Sequence, residues 1–395
     1  NQNLSAILAT APLTSTFTNI SAQTIRSWLG KPDTDVSVIS QQVINALKNA
    51  APAVKVALQT LLKDAGQIDI GLNDKQLQIT YLGTIDVTQL KTVVPGVKDL
   101  PLDGLKLPVT KPRLTITNPG LENANYTFAA DSLPTAELVT WLANKGKTLL
   151  PAEVQTVLNE LLKLGQNLDV VFASDQIQVT YQGSLDIAQL RGVIPGIKDL
   201  PLNGLTLPVE KPSITITDPG SKSANYTFTA ASLPKAQLVN WLSNQAKTLL
   251  PTQVQEVLNK LLALTQNVDL VLGKEQIQIT AKGDLDIATV IREIPGVKEL
   301  PLNDLSLPVK NPSITITNPQ SKNASYIFVA ESLPKQQLAN WVTQKATTLL
   351  PTEVQDVLNK LLALTNTVDL VLGKNQIEVA YKGNLNLATL IKEIP

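Results

Sequence analysis

The sequence predicts an α+β fold of four tandem units, each with two β-hairpins, two main helices and a Pro/Leu-rich connecting arm. Three observations carry this reading. Segments recur at a spacing of one hundred residues, two-residue alternation marks strands in each copy, and apolar stripes at helical spacing mark helices between them. "LPLDGLKLPV" at 100–109 returns as "LPLNGLTLPV" at 200–209 and "LPLNDLSLPV" at 300–309. "TLLPTQVQEVLNKLLAL" from Thr248 and "TLLPTEVQDVLNKLLAL" from Thr348 differ only at Gln253/Glu353 and Glu256/Asp356. The units are therefore placed at 1–95, 96–195, 196–295 and 296–395, the first a diverged copy with an insertion near 31–43.

The third unit shows the elements in order. Ser213 to Thr217, "SITIT", alternates strictly and is closed by the turn signal Asp218-Pro219-Gly220, and "NYTFT" from Asn225 alternates again, giving a hairpin. Ser232 is expected to cap a first helix, with Pro234 in its first turn and Leu238, Trp241 and Leu242 on one face. Pro251 opens a second helix with Val254, Val257, Leu258, Leu261 and Leu262 as its apolar stripe. Strands at Val268 to Leu272 and Gln276 to Thr280 form a second hairpin, and Asp286 caps a short helix before Pro295-Gly296. A unit of this length holds enough elements for its own core, so beads in a row are expected, joined by arms that prolines stiffen and leucines press onto a unit.

Composition narrows the function. The apolar fraction of 43% suits a folded chain, and 33 basic against 33 acidic residues give no net field to attract nucleic acid. No apolar run reaches the ~18 residues of a membrane span. The chain has no Cys, His or Met. Disulfides, thiolate or imidazole metal sites and His-based triads are thereby excluded, and no cofactor is expected. A chain beginning at Asn1 either was processed or starts inside a longer protein; removal of a secretory signal accounts for the first.

Candidate sites each meet a plainer reading. Ser232-Leu-Pro-Lys235 and Ser332-Leu-Pro-Lys335 match S-x-x-K, yet Ser132 is followed by Thr135, so the serines read as helix caps. Glu153 and Glu353 correspond to Gln253, and Asp86, Asp186 and Asp286 to Asn386; exchange to an amide ends proton transfer but keeps a cap, with Gln89 and Gln189 placed as in a capping box. Asp169, Asp269 and Asp369 recur in apolar strands and read as solvent-facing positions rather than Ca²⁺ ligands. One tryptophan per unit, Trp28, Trp141, Trp241 and Trp341, is expected in the core rather than as a sugar platform. Glycosylation sequons stand at Asn3, Asn19, Asn125, Asn225 and Asn323, three of them read as equivalent points beside Tyr126, Tyr226 and Tyr326.

The sequence therefore points to a non-enzymatic, extracellular or cell-surface structural and interaction protein: a spacer, filament component or multivalent adhesion binder. The alternative is a carrier of an apolar small molecule or lipid, which a sizeable internal cavity would mark. The expected partners are the chain itself, head to tail, or other extracellular surface components. Because an arm follows each internal unit and the sequence ends at Pro395, the fourth unit is expected to expose an apolar groove for the N-terminal segment of a neighbour.

Overall fold

The computed structural model describes residues 12–381, apart from 33–38, 87–93, 345–350, 364–366 and gaps of one or two positions. It divides into two compact bodies, Asn1–Leu185 with Glu210–Phe228, and Asp186–Val209 with Thr229–Pro395.

The first body holds β1 (Ser15–Ser21), α1 (Ala22–Gly30), α2 (Gln41–Lys48), α3 (Pro52–Leu61), β2 (Gln67–Asn73), β3 (Gln76–Tyr81) and the short β4 (Thr84–Asp86). There follow β5 (Pro108–Thr110), β6 (Arg113–Thr117), β7 (Asn125–Pro134), α4 (Thr135–Trp141), α5 (Ala152–Leu164), β8 (Asn167–Ala173) and β9 (Gln176–Tyr181). The boundary between the bodies cuts β10 (Ser184–Asp186), β11 (Pro208–Glu210) and β13 (Asn225–Pro234), leaving α6 (Ile187–Arg191) in the second and β12 (Ser213–Thr217) in the first. The second body continues with α7 (Lys235–Asn244), α8 (Thr252–Ala263), β14 (Asn267–Gly273), β15 (Gln276–Ala281), β16 (Asp284–Asp286), α9 (Ile287–Ile291), β17 (Pro308–Lys310) and β18 (Ser313–Thr317). Its last described elements are β19 (Ser325–Pro334), α10 (Lys335–Gln344), α11 (Thr352–Ala363), β20 (Thr367–Gly373) and β21 (Gln376–Tyr381). The fold is α+β around a large antiparallel sheet.

Strand order decides how the repeat is used. Within the first body the sheet runs β1-β2-β3-β6-β7-β8-β9-β12, and within the second β14-β15-β18-β19-β20-β21. Both expected hairpins form, for example Ile314↔Phe328 and Leu270↔Ile279. The strands at the seam between hundred-residue segments also pair, Ile79 with Leu114, Val179 with Ile214 and Ile279 with Ile314. Separate beads are thus not what is found: the hydrogen-bonded ladder of one segment continues into the next. Alternation makes this possible, because each "SITIT" strand turns Ile to the helix-covered face and keeps its backbone donors free on both edges.

The arms also pack otherwise than expected. Trp141 Nε1 donates to the Asp103 carbonyl at 3.0 Å and Trp241 Nε1 to the Asn203 carbonyl at 3.1 Å, so these two arms lie on the segments that follow them. The reason is the arm's short lead into the sheet: β17 ends at Lys310 and β18 starts at Ser313. The fourth segment accordingly has its own arm, with Leu302, Leu305 and Leu307 buried, and the apolar groove expected there is filled. Prolines keep the arm out of the main sheet; only its end pairs, Asp284↔Lys310, in a two-stranded ladder with β16.

In the first segment the inserted helix α2 stands where an arm would. Val43 and Leu47 are buried and α2 packs against β2. The loop after it donates from Ala51 N–H to the Pro119 carbonyl at 2.7 Å. At the matching seams, Pro101 lies against Gly220 and the Asp199 carbonyl accepts from the Gln320 side chain.

Candidate functional site

The most regular polar feature is a bulge clamp. The first helix of the third segment starts at Lys235, not at Ser232. β13 runs on through Ser232, whose φ of 55 puts it in the left-handed region, and its N–H donates to Asp269 Oδ1 at 2.8 Å. Ser332 does the same with Asp369 at 2.7 Å, and Asn19 with Asp69 at 2.8 Å. The serines are therefore not helix caps, whereas Asp269 and Asp369 stand on the outward phase of their strands, as expected there, and serve as half-buried clamp acceptors. The reason is local. The cap position lies two residues further on, where Ser21 caps α1 by accepting from Thr24 N–H, and the later segments carry Pro134, Pro234 and Pro334 there. Ser132 lies in β7, and Asp169 accepts a hydrogen bond from Gln182, as Asp269 pairs with Lys282 at 2.5 Å. The S-x-x-K pairs are split, serine in a strand and Lys235 or Lys335 at the first position of a helix.

Other expected roles divide. Asp186 and Asp286 do cap, accepting from the N–H groups of Ala188 and Ala288 at 2.9 Å. Gln89 and Asn386 lie outside the described residues, and Glu153, Gln253 and Glu353 are exposed near helix starts. All four tryptophans are buried. Asn125 and Asn225 are exposed at the starts of β7 and β13, whereas Asn323 sits two residues earlier in the turn, its N–H on Ser321 Oγ at 3.0 Å; the three sequons are thus not equivalent. Asn19 is exposed and held in the clamp, and Asn3 lies outside the described residues.

Two cavities bear on ligand binding. One of about 400 Å³ in the second body is lined by Gly196, Asp199, Leu200, Glu275, Asn318 and Gln320, among others. It is a seam of three elements, with Asn318 N–H donating to the Glu275 carbonyl at 2.7 Å. Its two carboxylates and amides suit polar hydrogen bonding. The other, in the first body, is wholly apolar, between Leu102 and Leu105 of the arm, Trp141 and the β8 side chains Leu168, Val170 and Phe172, and holds about 40 Å³.

Buried phenols mark the inner faces. Burial pushes Tyr226 up to about 12, the Glu153 carboxylate adding to it, and burial alone pushes Tyr326 up to about 12. Both hydroxyls lack a hydrogen-bond partner among the described residues. Among the described residues, no helix is long and apolar enough to cross a membrane. No family model matches the chain, and no curated protein or solved structure shows significant similarity to it.

Proposed function

We propose that the protein is a secreted or cell-surface, non-enzymatic structural and interaction protein whose four tandem units serve as spacer, filament component or multivalent binder. The observation that carries this reading is the ladder that joins one segment to the next, Gln276↔Thr317 through Thr280↔Ser313, with the same register at the two other seams. A backbone ladder with an arm locked beside it fixes spacing far better than a flexible linker. Equivalent surfaces of ladder-joined segments within one body are then held at a fixed interval, which is what load bearing and avidity require. The carrier alternative gains no support from the apolar cavity of about 40 Å³, since pockets for small molecules run from about 300 Å³ upward.

In-frame deletion of 196–295 in the source organism joins two equivalent positions and tests the reading. A spacer or multivalent binder is expected to remain folded and surface-exposed to added protease, with graded loss of assembly or adhesion. Abolition of all function with the protein still folded, or a lipid recovered stoichiometrically from the native protein by mass spectrometry, would overturn it.

A further inference from the structure

In three segments the outer edge of the last long strand is covered. β3 is covered by β6, β9 by β12 and β15 by β18, always with an "xIT"-type alternating strand in the same register. Donor direction follows from Tyr81, Tyr181 and Ala281, whose N–H groups reach the carbonyls of Pro112, Pro212 and Pro312 at 3.0, 3.0 and 2.9 Å. Since donors alternate along a strand, Ile277 and Ile279 face the same way, and so do Ile377, Val379 and Tyr381 in β21.

Among the described residues β21 has a neighbour on one side only, β20. The side chains register the missing neighbour. Ile377 is 37% exposed, whereas Leu77, Ile177 and Ile277 are 1%, 4% and 3% exposed. Val354 of α11 is 43% exposed, whereas Val54, Val154 and Val254 are 0%. Among the described residues a donor edge and an apolar shelf beside it are thus open together, where the other copies cover both.

We infer that the β21 edge is a strand-addition site for a further unit of this same repeat, entered by its "SITIT" strand. The inference rests on the tandem-unit reading above and names its partner. The three filled seams define what fits. A proline carbonyl takes the Tyr381 N–H, isoleucines at the second and fourth strand positions meet Val379 and Ile377, as Ile314 and Ile316 meet Ile279 and Ile277, and Ser or Thr occupies the polar face. Backbone bonds supply the affinity and the alternate side chains the register.

The test uses the full 1–395 chain and a fluorescein-labelled peptide of residues 311–330, NPSITITNPQSKNASYIFVA. Fluorescence anisotropy is expected to show saturable binding. Val379→Pro deletes an outward donor, and a proline there is compatible with a free edge, so the variant stays folded by circular dichroism while binding weakens at least tenfold. Ile377→Thr leaves the backbone intact and weakens binding severalfold, which keeps the test decisive if the proline variant misfolds. A peptide carrying Ile314→Thr and Ile316→Thr should fail likewise. The inference is overturned by absence of binding to the unsubstituted chain or by equal binding to all variants. It is also overturned if Val379→Pro abolishes a dimer seen by light scattering while the peptide never binds, because the occupant is then a second copy's own edge. The deletion experiment on function is independent of β21, so the two failures are distinguishable.

Discussion

Removing the clamp carboxylate at Asp269 is expected to loosen β13 where it turns toward α7. Ser232 occupies the left-handed region, a cost of roughly 1–2 kcal/mol for a residue with a Cβ, and the hydrogen bond from its N–H to Asp269 Oδ1 at 2.8 Å offsets this. A hydrogen bond to a charged acceptor contributes about 1.5–3 kcal/mol. The Lys282 pair at 2.5 Å adds less than about 1 kcal/mol, because both side chains keep access to water. Asp269→Ala should therefore cost about 2–3 kcal/mol, and Asp269→Asn only about 1 kcal/mol, since the amide oxygen still accepts. Hydrogen exchange at the Ser232 amide reads this directly: about 2 kcal/mol corresponds to roughly 30-fold faster exchange in the alanine variant. Urea unfolding followed by tryptophan fluorescence should shift in the same order. Unchanged protection in Asp269→Ala, or an asparagine variant as damaged as the alanine one, would refute the reasoning.

Three further expectations share this logic. Trp241→Ala should cost about 3–5 kcal/mol in thermal melting through lost buried contacts, and Trp241→Phe about 1–2 kcal/mol with faster proteolysis of the arm near Leu205, because it releases the Asn203 carbonyl. Gly196→Ala sets a Cβ 3.0 Å from Lys274 Cα at a φ of 80 and should lower stability by roughly 1–2 kcal/mol, whereas Gly273→Ala meets nothing within 4 Å and should melt like the parent. Tyr226 and Tyr326 are held up to about 12 in the folded chain against 10.0 unfolded, so folded protein keeps the phenolic proton longer. Their contribution is full below pH 10.0 and is lost as pH rises toward about 12; Tyr226→Phe with Tyr326→Phe should flatten that decline in a series of melts.

Much of the architecture is legible in the sequence because it depends on neighbours a few positions apart. The Ile-Thr alternation of 213–217, the apolar stripe of α8 after Pro251 and the Asp286 cap are local signals, and each element stands where its pattern put it. The clamp is not local. Asp269 lies 37 positions from Ser232, and a serine ahead of a helix resembles a cap until its acceptor is seen across the ladder. The only hint available was the recurrence of an aspartate in an otherwise apolar strand at 69, 169, 269 and 369. The arms misled through direction: leucines announce that a segment packs, but only the Asp103 and Asn203 carbonyls on the following tryptophans say on which neighbour. The joined ladder is not legible for a related reason, since a "SITIT" strand has two edges and the sequence describes the partner on one.

The claim that the segments share one ladder is tested most directly by site-resolved hydrogen exchange at Ile277, Ile279 and Ala281, whose N–H groups point across the seam toward β18. The account predicts protection at these three amides comparable to that of Gln276 and Gln278, which face β14 within their own hairpin, and fast exchange at Ile377 and Val379. Exchange at Ile277, Ile279 and Ala281 as fast as at Ile377 would show separate beads and contradict it.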